Sequence, residues 1–204
     1  MILLYSKGIT AWLIRNGVVK AGERELYEYA VHSLALSLAP LAIVVIMGGF
    51  MGVVKESILF ILPFMAIRKF SGGFHAKHEW ICLMSSCGLL FLCVFAVSKI
   101  TYNVALGGVT LGAVISLSLF SPIDSDNRRL SADEKIKYRR ITRIMAGLFF
   151  GIFVLLAGLR AEKYAGCIAV GLILSASLQF PCLLQRLHFK QGVRQILIKI
   201  TKKD

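Results

Sequence analysis

The sequence predicts an all-α fold: a polytopic membrane protein with six transmembrane helices and an N-terminal amphipathic helix lying in the membrane interface. Three observations predict it. First, 57% of the 204 residues are hydrophobic and mean hydropathy is +0.73; only 17% are charged, against about 25% in soluble domains. Second, uncharged runs of bilayer length recur along the chain. Third, the net charge of +13 is gathered in the segments between alternate runs, the pattern of cytoplasmic loops. No soluble basic stretch is long enough to stand alone as a nucleic-acid-binding domain, so nucleic acid is not an expected partner.

Residues 1–29 form the first unit. The start, MILLYSKGITAWLIRNG, lacks the long apolar core of a signal peptide. Ile2, Tyr5, Ile9, Trp12 and Leu13 share one face at helical spacing, with Ser6, Lys7, Thr10 and Arg15 off it. Such a helix either lies flat in the interface or packs on its own protein. Asn16-Gly17 ends it, and a second helix is expected from near Glu23. Ala30 to Val54 then gives 25 residues free of Lys, Arg, Asp and Glu. Lys55-Glu56 follows. SILFILPFMAI, at 57–67, is short for a span; it requires a start near Gly52, a tilt, or a bilayer thinned by protein, and Pro63 is a candidate kink.

Trp80 to Ser98 and Ile100 to Phe120 are the next uncharged runs, read as a hairpin turning at 99–103. Gly107, Gly108 and Gly112 in the second would permit close helix packing. A basic loop at 121–143, apolar runs at 144–159 and 164–184, and a basic tail at 185–204 complete the chain. The expected organisation is thus 1–29, a six-span domain at 30–184, and the tail. With the N-terminus inside, only Lys55, Lys99, Arg160 and Lys163 fall outside; the other 20 of the 24 basic residues fall inside. Removing the short second span would ruin this alternation. It also sets RKFSGGFHAKHEWIC, residues 68–82, on the cytoplasmic side.

That stretch carries the chemistry. In a reducing compartment Cys82 is a free thiol, and a thiol beside an imidazole is a candidate nucleophile. His78 is four residues from Cys82, a neighbour on one continuous helix. His75 is seven away, about 10.5 Å of helical rise, so it can serve Cys82 only if the chain breaks between them; Gly72-Gly73 permits a sharp turn just before it. The plainer alternative is that these residues snorkel at the interface and tie down a loop. The five cysteines show no CxxC pair and no zinc spacing, and neither a metal nor a cofactor is implied.

The same stretch resembles the signature of the accessory gene regulator B (AgrB) family of bacterial membrane cysteine endopeptidases. The shared pattern is carried by Arg68, Gly72, Gly73, Phe74, His75, Ala76 and Cys82. A second stretch, SPIDSDNRRL at 121–130, resembles the family through Pro122, Asp124, Asn127 and Arg128. The resemblance implies that Cys82 is the nucleophile and His75 the general base and acid, with Arg68 orienting substrate or loop. His78 is outside the family pattern and stays as the rival base. No third member of a triad is evident; Glu79 has no motif behind it, and Asp124 is a distant orienter at most.

The implied reaction is cleavage of an AgrD-like precursor peptide before its acidic C-terminal tail. The product is an acyl-enzyme thioester, which an internal nucleophile of the peptide attacks to close a thiolactone or lactone ring. The resemblance also implies a multi-pass protein of the bacterial cell membrane and a homodimer. Gly72 and Gly73 are read as shaping the turn, with their backbone N–H groups approaching the oxyanion. Arg128 and Arg129, with Lys135, Lys137, Arg139 and Arg140, would attract the acidic tail, or simply membrane lipids. The competing class is a non-catalytic carrier of a peptide or small solute, whose expected mark is ionisable residues at mid-membrane depth. The runs hold almost none: His32 is near an end, and Gln179 is only polar.

Overall fold

The computed structural model describes residues 2–71, 79–123 and 131–181, with the side chains of 2–4, 21 and 79–83 outside that description. Among the described residues the regular structure is entirely helical. The helices are α1 (Ile2–Arg15), α2 (Arg24–Met51), α3 (Val54–Ser71), α4 (Glu79–Lys99), α5 (Val104–Phe120), α6 (Ala132–Gly158) and α7 (Glu162–Ser177), with a single 3-10 turn at Ala21–Glu23.

The boundaries have local causes. α1 stops where Asn16 Nδ2 donates to the Trp12 carbonyl at 2.8 Å and Gly17 turns left-handed, φ 71°. α2 stops at Gly52, φ 69°, where the Gly52 and Val53 N–H groups close onto the carbonyls of Gly49 and Gly48. α5 is capped by Asn103, whose Oδ1 accepts from Leu106 N at 2.7 Å. Ser131 and Glu134 form a reciprocal capping box at the start of α6. The second half of the basic stretch at 121–143 is therefore helical, continuous with the apolar run that follows.

Contacts fix the direction of each helix. Gly48 near the end of α2 lies against Ser57 near the start of α3, where an added Cβ would come within 2.6 Å of Ser57 Oγ; these two helices are antiparallel. Lys163 Nζ meets Glu56 Oε1 at 2.6 Å, so α3 and α7 start together. Ile100, just after α4, packs on Gly166 near the start of α7. Hence α4 ends where α7 begins. The Ser121 side chain meets Gln179 past the end of α7, so α5 and α7 finish together. α2 to α7 thus alternate in direction. One end of the bundle gathers the starts of α2, α4 and α6 and the ends of α3, α5 and α7.

The centre is made by α3 and α7. α7 presents Ala165, Gly166, Ala169, Gly171 and Ala176 among its buried residues, which lets backbones come close. One apolar cluster joins α2, α3, α4 and α7 around Val44, Phe60, Ile61, Val94 and Leu174. A second joins α3, α5, α6 and α7 around Ile67, Leu117, Ala146, Phe153 and Leu172. The 99–103 turn is present as expected; both of its helices pack on α7, but α4 also packs on α2 and α5 on α6. Within the chain itself, a Cβ at Gly108 or Gly112 meets nothing within 4 Å, so neither glycine makes a close helix contact inside the bundle. The short 57–67 run is the buried heart of α3, a continuous helix of 18 residues through Pro63.

α2 and α6 are each long and apolar enough to cross a membrane, with only 11% and 17% of their apolar windows buried. They are therefore unlike the core helices of a soluble protein. Large apolar side chains point outward from α2 (Leu34, Phe50), α4 (Phe91, Phe95), α5 (Leu111, Ile115) and α6 (Leu148, Leu155). So large an outward apolar surface calls for a non-aqueous surrounding.

The Glu56–Lys163 pair lies at the far end of the bundle, beyond the apolar runs. The hydrogen bond from Lys163 holds the Glu56 carboxyl below its ordinary 4.5; the same bond holds the Lys163 ammonium above its ordinary 10.5. The lowered carboxyl stabilises the fold above 4.5 and loses that contribution as pH falls through the folded value. The raised ammonium stabilises it below 10.5 and loses that contribution as pH rises through the folded value. Thermal unfolding in detergent should show Glu56→Gln flattening the acid limb and Lys163→Met the alkaline limb. Limbs unchanged in both variants would show that the pair contributes nothing measurable, as many exposed pairs do.

Candidate active site

The end of the bundle that holds the start of α4 is closed by a set of polar contacts. Ile123 N donates to the Ser71 carbonyl at 3.0 Å, tying the segment after α5 to the last residue of α3. Gln179 Nε2 donates to Ser121 Oγ at 2.6 Å, tying α5 to α7. Arg139 Nε donates to the Ser121 carbonyl at 3.3 Å and Arg143 Nε to the Ser118 carbonyl at 3.0 Å. These carbonyls belong to the end of α5, where a helix leaves acceptors unsatisfied and favours positive charge. Phe70 packs edge-on against Tyr138, with ring centroids 5.8 Å apart, joining α3 to α6.

Ser71, Ser121 and Gln179 are buried. Gln179 keeps its Oε1 without a hydrogen-bond partner. A buried acceptor left unpaired is costly, and it sits among groups that join three helix ends.

Of the expected site residues, Arg68 and Cys82 fall at this end. Arg68 is in the last turn of α3, half-buried and engaged with a neighbour. Cys82 is the fourth residue of α4; its side chain lies outside the described residues. Gly72, Gly73, His75 and His78 lie outside them as well, and so do Arg128 and Arg129. No contact between Cys82 and either histidine is therefore part of this description. The alternation of helix directions nevertheless brings the start of α4 to the same end as Arg68. Only six residues separate His75 from α4's Cys82.

Of the other basic residues, Arg139 is engaged with the Ser121 carbonyl, and Lys135 has a partner of its own. Lys137 and Arg140 line an open groove of about 300 Å³ on α6, with Asp133, Ile136 and Ile141. The described residues hold no group of three or more His, Cys, Asp and Glu able to bind a metal ion. Sequence reasoning missed Ser121 and Gln179. The available signal was a lone amide in an apolar run.

The model of a protein family described as Accessory gene regulator B matches residues 6–180, a region that includes α2 to α7 and the whole 68–82 stretch. The chain belongs to the AgrB family. AgrB-like protein 2 of Clostridium perfringens (strain 13 / Type A) is 23% identical over 123 residues, which is 56% of this chain and 57% of the relative. An AgrB-like protein of Clostridium perfringens (strain SM101 / Type A) matches to the same extent. The aligned region is thus little more than half the length of these relatives. No solved structure matches the chain. Membership in the AgrB family and the two long apolar helices together point to a membrane protein.

Proposed function

We propose that this AgrB-family chain is a membrane cysteine endopeptidase that removes the acidic C-terminal tail of an AgrD-like precursor and supports cyclisation of the remainder. The observation that carries the reading is the family match across 6–180, which takes in Arg68, His75 and Cys82 at the spacing read in the sequence. The location of Cys82 in the first turn of α4 supports it, because the partial positive charge of a helix start favours an anion there.

In this mechanism His75 takes the Cys82 thiol proton as Sγ attacks the carbonyl carbon before the tail. The C–N bond breaks, His75 returns the proton to the leaving amine, and the tail departs. The precursor core remains as a thioester on Cys82. An internal thiol or hydroxyl of the core then attacks that carbonyl, frees Cys82 and closes the ring. Water must lose this competition, so a sheltered site is needed. The buried contacts among Ser71, Ser121 and Gln179 would give the site a rigid floor.

The proposed topology has α2 to α7 crossing the membrane, with the site and both termini cytoplasmic. The alternating helix directions and the 20-to-4 division of basic residues support it. α3 is short and largely enclosed, with Leu62 as its exposed apolar side chain, so it needs little lipid contact along its length.

The test is co-expression with a precursor carrying an acidic tail. Release of the tail in membranes containing the wild-type chain supports the reading. An intact precursor, in a membrane where the chain is present and folded, favours a carrier instead. Among the described residues of the basic segment, Lys137 and Arg140 line the open groove and are offered as cations for the tail. Lys137→Glu with Arg140→Glu should raise KM roughly tenfold at low salt and leave kcat near wild type, as loss of steering would. An equal fall in both parameters would place these residues elsewhere in the chemistry.

A further inference from the structure

α1 is turned the opposite way from a helix packed on a soluble protein. Its buried side chains against α2 are Ser6 and Thr10, 3% and 0% exposed, while Tyr5 and Trp12 are 71% and 63% exposed. Ile9 is exposed on the same face. Ser6 and Thr10 face protein, with Leu13 and Ile14 half-buried beside them, and the Tyr5–Ile9–Trp12 stripe faces out. In water this would leave the amphipathic face uncovered at the expense of burying Thr10 Oγ1 without a partner.

We infer that the outer face of α1 is a membrane-interface surface, seated on anionic lipid headgroups and the upper acyl chains. Three observations select lipid as the occupant. Tyr5 and Trp12 are the amphipathic rings that favour the headgroup level. α1 carries Lys7 and Arg15, both exposed, and no acidic residue; the nearest carboxylates are Glu23, Glu25 and Glu28 in the next segment, with Glu28 paired to Arg24 at 2.8 Å. Positive charge flanking an apolar face complements an anionic leaflet. The helix α1 packs on, α2, is itself long enough to span and exposes Leu26, Leu34 and Leu38. The surface is independent of the proposed peptidase activity and would hold the N-terminus on the face where a membrane-bound substrate is delivered.

The sequence supplies the probe, because Trp12 and Trp80 are its only tryptophans. The experiment uses the full chain carrying Trp80→Phe in vesicles of phosphatidylglycerol and phosphatidylcholine. The difference between wild type and Trp12→Phe reports the same ring should the first variant express poorly. Trp12 emission should be quenched by lipids brominated high on the acyl chain, roughly twofold more than by lipids brominated near its end. Aqueous iodide should quench it weakly, and loss of phosphatidylglycerol should increase that access. Trp12 freely quenched by iodide in phosphatidylglycerol vesicles overturns the inference, because the face is then in water. Trp12 shielded from iodide and bromolipid alike also overturns it, because protein then covers the face.

Discussion

Cys82→Ala should abolish tail release from a co-expressed precursor, to background. A cysteine peptidase without its nucleophile keeps only binding and electrostatic effects, and the loss of an acting nucleophile costs on the order of 10⁴ to 10⁶ in kcat. His75→Ala should cost on the order of 10² to 10⁴, the usual worth of a positioned acid–base group, and its residual rate should rise with pH as free thiolate accumulates. His78→Ala should stay within about tenfold of wild type if His75 is the base. The reverse ranking of the two histidines would assign the role to His78, the neighbour that a continuous helix would favour. Release measured by mass spectrometry of the tail decides between them. Equal release from all four proteins would mean that another protease in the cell does the cutting.

The second large effect is on the fold. Gly171 is where α7 meets α3 backbone to backbone: an added Cβ would overlap the Phe60 carbonyl oxygen and lie 2.6 Å from Pro63 Cγ. A carbonyl in a helix cannot move aside as a flexible side chain can. Gly171→Leu should therefore separate the two central helices and destabilise the protein by about 3 kcal/mol or more, at the upper end of overpacking effects. Gly112→Leu is the matched control, since a Cβ there meets nothing within 4 Å, and it should stay near wild type. Thermal unfolding in detergent checks both. Similar midpoints for the two variants would show that α3 and α7 do not approach as closely as described.

Much of the helix plan was legible because its punctuation is local. Asn16-Gly17, the 99–103 turn and the basic segments each report on their own few residues, and α1, α4 and α5 begin or end there. The 57–67 run, which the charge pattern retained despite its length, lies within the helix α3. What stayed hidden was pairing across long sequence distance. The Glu56–Lys163 pair and the Ser121–Gln179 bond join residues whose neighbours in sequence give no hint of the partner. Arg139 and Arg143 read as free positive charge in the sequence; in the fold they satisfy carbonyls at the end of α5.

The periodicity of α1 identified its apolar face but not its direction. In a membrane protein the apolar face has two possible destinations, and only the burial of Ser6 and Thr10 chooses between them. For the candidate site, the sequence offered residue types and a spacing at 68–82. The supporting contacts around Ser71, Ser121 and Gln179 were not, because each draws on a different helix end.

The most direct test of the peptidase reading is the intact mass of the purified chain after brief exposure to precursor and acid quenching. An acyl-enzyme predicts an added mass equal to the precursor without its tail, sensitive to hydroxylamine, localised to residue 82 and absent from Cys82→Ala. Tail release with no such adduct at residue 82, under conditions that trap thioesters, would contradict the account.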